Sequence, residues 1–137
     1  MDNQLKLEYN IIESLVSVLM ESPDQFPEQK SEYREAAYHL KHFADIMPGG
    51  FFIYRADEEE TLIYANEALL RIFQCDSMQE LRELTGNSFR GIVHPDDLEA
   101  VEQSIREQIA NSQYDLDYVE YRIIRKDGKI RWLDDYG

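Results

Sequence analysis

The apolar positions of this chain change period three times, and each change marks a new kind of element. Leu5, Tyr9, Ile12, Val16 and Leu19 alternate spacings of four and three, which places them on one stripe of a helix. Ile11, Leu15 and Val18 widen that stripe; Ser22-Pro23-Asp24 ends it, and Pro27 opens a second helix. Tyr33, Ala37, Leu40, Ala44 and Met47 repeat the same alternation along that second helix. The spacing suits a helical hairpin on its own domain and a dimer-forming bundle equally well. Pro48-Gly49-Gly50 then interrupts helix and marks a boundary, leaving 1–46 as a helical pair and 47–137 as a separate domain.

Beyond that boundary the pattern becomes strand-like. Phe51-Phe52-Ile53-Tyr54-Arg55 and Thr61-Leu62-Ile63-Tyr64-Ala65 flank a solvated acidic turn, Asp57-Glu58-Glu59-Glu60, which predicts an antiparallel hairpin. Asn66 suits the N-cap of a short helix burying Leu69, Leu70 and Phe73. Ser77-Met78-Gln79-Glu80 reads as a capping box for a second short helix that stops at Gly86. Phe89, Ile92 and Val93 lead into a third helix. Pro95 is expected at its first position, Asp96 and Asp97 in its first turn, and Leu98, Val101, Ile105 and Ile109 on its inner face. Asn111-Ser112 ends it. Two strands, near 114–125 and 129–136, close the chain around Asp127-Gly128, which predicts a type I′ turn. The order is α+β.

Composition narrows the partners. Fourteen Lys and Arg against 28 Asp and Glu leave a net charge of −14, which repels phosphate backbones and anionic lipid; no nucleic acid or membrane contact is expected. The 43% apolar and 12% aromatic content supports a folded core. A single cysteine, Cys75, excludes an internal disulfide, and neither a leader peptide nor a membrane span is visible, so a cytoplasmic location is expected.

Catalytic chemistry finds no foothold. Asp96-Asp97 and Asp134-Asp135 are adjacent rather than convergent, and Cys75 has no basic neighbour in sequence, so no enzyme activity is expected. His39 and His42 have the spacing to share a metal on one helix face but lack a third ligand nearby. The Asp57–Glu60 run lacks the alternation and glycine of a calcium loop, so no metal is expected there either.

Several separated motifs resemble a PAS domain, the sensory fold of many bacterial signalling proteins. Tyr64-Ala65-Asn66-Glu67-Ala68 resembles that family's strand-to-helix junction, and Phe73-Gln74-Cys75-Asp76-Ser77 with Glu80-Leu81 its next helical turn. Val93-His94-Pro95-Asp96-Asp97 and Glu120-Tyr121-Arg122 through Arg125-Lys126-Asp127-Gly128 to Arg131-Trp132 are similar to its most recognisable segments. The resemblance implies a five-stranded antiparallel sheet with short helices on one face, here preceded by two amphipathic helices. It also implies that the chain stops one strand short, the missing strand lying between the first strand and that of Trp132. The gap would be filled by a neighbouring chain, by rearranged strands, or by direct pairing of the two flanking strands.

The function implied is sensory input. A small-molecule, redox or partner signal would pass to an output domain outside this chain, such as a diguanylate cyclase or a histidine kinase. The other function open to these residues is dimerisation and scaffolding without a ligand. A homodimer through the N-terminal helices or a sheet edge is expected in either case. Phe52, Tyr54, Phe73, Phe89, Val101, Ile105, Tyr121, Ile123 and Trp132 are the candidate pocket lining, equally suited to filling a core. Tyr54, Tyr121 and Trp132 would offer a small ligand its polar contacts. Flavin is disfavoured, because Gly86-Asn87-Ser88-Phe89-Arg90 carries no cysteine where light-sensing members of the family place one. Haem is disfavoured because His94 at a helix start reads as a junction residue.

Overall fold

The computed structural model describes residues 31–137. The expected first helix, with Pro23 and Pro27 at its boundary, lies outside the described residues. In chain order the elements are α1 (Ser31–Ile46), β1 (Phe52–Tyr54), β2 (Leu62–Ala65), α2 (Glu67–Phe73), α3 (Met78–Thr85), α4 (Phe89–Ile92), α5 (Leu98–Asn111), β3 (Tyr118–Ile124) and β4 (Ile130–Tyr136). The described residues divide into two compact units. One takes those up to Ile53 together with Ile63–Leu69, the other Tyr54–Leu62 with Leu70–Gly137.

The first unit is organised by one amide. Asn66, fully buried, accepts at Oδ1 from the N–H of Leu69 (3.0 Å), which is the N-cap expected for α2, and from the N–H of Phe51 (2.8 Å). Its Nδ2 donates to the carbonyls of Ala44 (2.7 Å) and Gly49 (3.1 Å). One side chain thus satisfies a donor at the start of α2, the donor of Phe51 after the Pro48-Gly49-Gly50 bend, and the carbonyls of Ala44 near the end of α1 and of Gly49 in the bend. Ala44 and Tyr64 form the buried centre, with Phe51 and Ile53 packed against it. Tyr64 donates to Asp45 (3.4 Å).

The second unit carries a core of Leu62, Phe73, Leu81, Ile92, Phe89, Tyr121 and Ile123. Its capping follows the sequence closely. Ser77 Oγ accepts from the Glu80 N–H at 3.2 Å, Glu80 reaches back to the N–H of Asp76 at 2.7 Å, and Gly86 ends α3 at φ +64°. The short helix α4 was not among the expected elements. Ser88 caps it through the Gly91 N–H, and residues 60–62 meet 87–89 through Phe89 N–H to Glu60 O (3.0 Å) and Leu62 N–H to Asn87 O (2.9 Å). A single turn of helix is too short to show a 3.6-residue period.

Four further expectations need correction. Helix α5 begins at Leu98 rather than at Pro95, and Asp97 makes no side-chain cap, because its carboxylate is drawn to Arg122 of β3. Pro95 stands in the preceding turn, where the N–H of Asp97 donates to the His94 carbonyl (2.9 Å). The hairpin turn has a positive φ at Gly128 alone; Gly128 N–H to Arg125 O and Arg125 N–H to Lys129 O define a three-residue loop, not a type I′ pair. Strand β3 begins at Tyr118, four residues later than expected, after Asp115 turns the chain at φ +55°.

The fourth correction concerns the sheet. Among the described residues the strands form two two-stranded antiparallel sheets, β1-β2 and β3-β4, rather than the single five-stranded sheet the resemblance implies; of the three ways of filling the gap, direct pairing of β1 with β4 is not the one seen. Both strands of each sheet come from one hairpin, whose short loop costs little closure entropy, and β1 offers only three residues for any further pairing. Among the described residues no helix is long and apolar enough to cross a membrane.

Candidate functional site

Alternation along β3 separates two environments. Val119, Tyr121 and Ile123 are buried, whereas Tyr118, Glu120 and Ile124 are exposed. The register pairs Tyr121 with Leu133 and Val119 with Asp135, so Leu133 and Asp135 share the inner face of the second unit. That face presents an aromatic series: Tyr54 stacks on Phe89 (centroids 4.7 Å apart, planes 8° apart), and Phe89 meets Tyr121 edge-on (6.2 Å, 89°). Tyr121 donates its hydroxyl to Asp135 at 2.7 Å.

Three carboxylates surround this series. Burial raises the pKa of the Asp135 carboxyl above its ordinary value, with the Tyr121 hydrogen bond opposing. Asp117 is raised by burial and by the charge of Asp135. Glu60 is raised by burial and by Glu102, while Arg90 at 3.6 Å holds it back. Tyr54 is pushed up to about 12 by burial and then by Glu60, Asp117 and Asp135; Tyr121 is raised by burial and then by Asp135. Both phenols therefore stay neutral and act as donors near neutral pH. Ring faces with neutral donors and carboxylate acceptors suit a ligand that carries an aromatic or apolar body and hydrogen-bond donors.

Of the candidate lining, Tyr54, Phe89 and Tyr121 come together here, and Phe73 and Ile123 are fully buried in the same unit. Phe52 is half-buried in β1 and belongs to the other unit. Ile105 is half-buried on α5. Trp132 stands on the opposite face of β4, 67% exposed, under the Arg122 guanidinium (5.7 Å). With Val101 it lines an outer groove of about 500 Å3 between α5 and β3. Asp117, Asp135 and Glu60 were not expected at a site. The period-two alternation from Leu133 to Asp135 was the available signal for one of them.

Around the groove, side chains close the outer edge of β3. Asp97 accepts from the Arg122 N–H (2.9 Å) and, in a bidentate pair, from its guanidinium (3.0 and 2.6 Å), which holds the Asp97 carboxyl down to about 2. His94 donates its backbone N–H to the Arg122 carbonyl (2.7 Å) and accepts at Nδ1 from Asp96 N–H (3.1 Å), a junction role. The Gln108 amide pairs with both backbone groups of Tyr118, each at 2.8 Å.

Other motifs stay apart from this chemistry. His39 and His42 flank the Tyr38 ring, His42 stacked on it. Among the described residues no group of three or more His, Cys, Asp or Glu converges on a metal position. In 86–90, Ser88 is the α4 cap and Phe89 a core ring, and the buried Cys75 thiol lies against the Phe73 carbonyl (3.9 Å). These residues place no thiol beside the aromatic series, so they do not fit flavin–cysteine adduct chemistry.

The described residues form an α+β module of antiparallel hairpins and short helices, with aromatic rings and carboxylates brought together in its second unit. The chain belongs to the PAS family: the model of the PAS fold matches residues 62–137. Members of this family generally serve as sensory and signalling modules rather than catalysts. Among solved structures, the chain is similar to an RNA-binding light-oxygen-voltage receptor, with 20% identity and a TM-score of 0.50. The likeness covers 85% of this chain and 30% of the receptor. It is a likeness of fold, and this chain spans less than a third of that receptor's length. No curated protein matches the chain.

Proposed function

We propose that this chain is a cytoplasmic sensory input domain. Its signal is a small molecule with hydrogen-bond donors, received at the Tyr54–Phe89–Tyr121 face of the second unit. The observation that carries this reading is the Tyr121–Asp135 hydrogen bond at 2.7 Å, with Asp117 nearby. Carboxylates facing aromatic rings are expensive in a purely structural core, where apolar side chains would pack at lower cost. Tyr54, Asp117 and Asp135 are half-buried rather than sealed, so a ligand can reach them.

The occupied state is relayed to an output domain outside this chain. The Arg125-Lys126-Asp127-Gly128 hairpin supports a diguanylate cyclase or a histidine kinase in that role, by family resemblance. The RNA binding named for the similar receptor is not carried over, since a net charge of −14 repels a phosphate backbone.

Native mass spectrometry of the gently purified chain tests the reading. A retained small molecule, lost from Tyr54→Leu, supports it. A bare polypeptide mass that no added metabolite mixture alters contradicts it. The exposed Tyr38, Phe43 and Ile46 of α1 favour a second reading, a dimerisation unit without ligand. Under that reading Phe43→Ser would abolish self-association while leaving every ligand test negative.

A further inference from the structure

Several carboxylates of the second unit have a cation beside them, and two on its aromatic face do not. Asp97 holds Arg122 (2.6 Å), Glu80 holds Lys126 (2.9 Å), Asp127 holds Arg125, and Arg90 lies between Glu102 (3.1 Å) and Glu60 (3.6 Å). Among the described residues Asp117 and Asp135 have no such partner. Burial raises both carboxyls, Asp117 feels the charge of Asp135 as well, and no positive charge lowers either. Arg131 shares their side of β4 by alternation, but it stands roughly 13 Å from Asp135 along the strand. It is exposed and donates to the carbonyl of its neighbour Ile130 (2.8 Å).

The register brings these two aspartates together. Val119 faces Asp135, so Asp117, two positions before Val119, is the diagonal neighbour of Asp135 on the same face. Both are half-buried, and the charges of both act on the Tyr54 and Tyr121 phenols. Negative charge is therefore gathered beside the stacked rings of Tyr54 and Phe89.

We propose that the ligand of this face is an organic cation: a primary ammonium on an apolar or aromatic body, its charge between Asp117 and Asp135 and its body against the Tyr54 and Phe89 rings. The proposal rests on the reading of this face as a ligand site and adds the sign of the ligand's charge. Three features select that class. Among the described residues Asp135 accepts from the Tyr121 hydroxyl alone, and a carboxylate with about four acceptor positions keeps room for N–H donors. A neutral donor would leave two half-buried negative charges uncompensated, whereas one ammonium is attracted by both. Aromatic faces attract a cation through their quadrupole, and the same carboxylates repel an anion. Calcium suits the face poorly, because it takes about six to eight oxygen ligands and no third carboxylate converges here among the described residues.

Three probes of similar shape separate charge from body: phenethylamine, a cation near neutral pH, phenethyl alcohol, which is neutral, and hydrocinnamate, an anion. Titration into the full 137-residue chain at about 0.15 M salt, followed by NMR of the aromatic rings, reads their affinities with the distant part of the −14 charge screened. Phenethylamine should bind at least about tenfold more tightly than phenethyl alcohol, with hydrocinnamate weakest, and should shift the Tyr54, Phe89 and Tyr121 rings. Asp135→Asn keeps an acceptor for the Tyr121 hydroxyl; it should weaken the amine about tenfold and the alcohol by less than about twofold. Asp117→Asn should act in the same direction. Asp134→Asn removes the same charge from the exposed outer face and should change neither affinity. An amine that binds no better than the alcohol overturns the proposal. So does a preference that survives Asp135→Asn or falls equally with Asp134→Asn, or an amine that fails to bind up to about 10 mM. Alcohol or anion binding that disappears in Tyr54→Leu would keep the ligand face and discard only its choice of a cation.

Discussion

Asn66 shows how much one side chain can decide. Its amide oxygen caps α2 and its amide nitrogen holds two carbonyls, and both halves are buried. Asn66→Asp keeps the cap but turns a carboxylate toward the carbonyls of Ala44 and Gly49. Denaturant titration should show a loss of about 3 kcal/mol or more. The sequence revealed the cap, because Asn before a helical run is a local signal. It could not reveal the two carbonyls, 17 and 22 residues away along the chain. The Asp97–Arg122 pair was hidden for the same reason, with 25 residues between partners. Arg122 depresses the Asp97 carboxyl from 3.8 to about 2, through its guanidinium hydrogen bonds first and its backbone N–H second. The unfolded chain then binds the proton more readily, so this contribution is complete above the ordinary value and disappears as pH falls through about 2. Asp97→Asn should flatten the stability-against-pH curve in that interval, as read by thermal melts at stepped pH.

At the scale of elements, the chain follows its own punctuation wherever the signal is local. Ser77 and Gly86 delimit α3 as expected, and the β3–β4 hairpin forms around Gly128. The turn type escaped because Asp127-Gly128 also fits a three-residue loop, in which Gly128 alone takes positive φ (+78°). Gly128→Ala should therefore cost about 1 kcal/mol, measurable by urea unfolding. Gly91 in α4 has a different reason to be glycine. A Cβ there would lie 1.5 Å from the Thr85 carbonyl oxygen, which is backbone and cannot yield cheaply. Gly91→Ala should destabilise by at least about 3 kcal/mol, whereas Gly49→Ala, with nothing within 4 Å of the added carbon, should stay within about 0.5 kcal/mol. The position of α5 shows tertiary demand overriding a local start signal. Pro95 and two aspartates suit a helix N-terminus, yet the β3 edge takes Asp97 for itself.

For the whole molecule, the order of elements and the family were legible because several motifs kept their sequence and spacing. The arrangement of strands was not, since no local pattern states that β1 is only three residues long or that the two hairpins close as separate sheets. The candidate site was half legible. Aromatic residues advertise themselves by type, which gave Tyr54, Phe89 and Tyr121, but type alone could not set Trp132 on the outer face. The acidic members surfaced only once the register placed Asp135 beside Tyr121. The most direct test of a ligand-receiving face is the thermal midpoint of the full chain against a library of small metabolites, with Tyr54→Leu in parallel. A saturating ligand at about 100 times its dissociation constant should stabilise the wild-type chain by about 2.7 kcal/mol and leave the variant nearly unmoved. A library that stabilises both equally, or neither, would contradict the account.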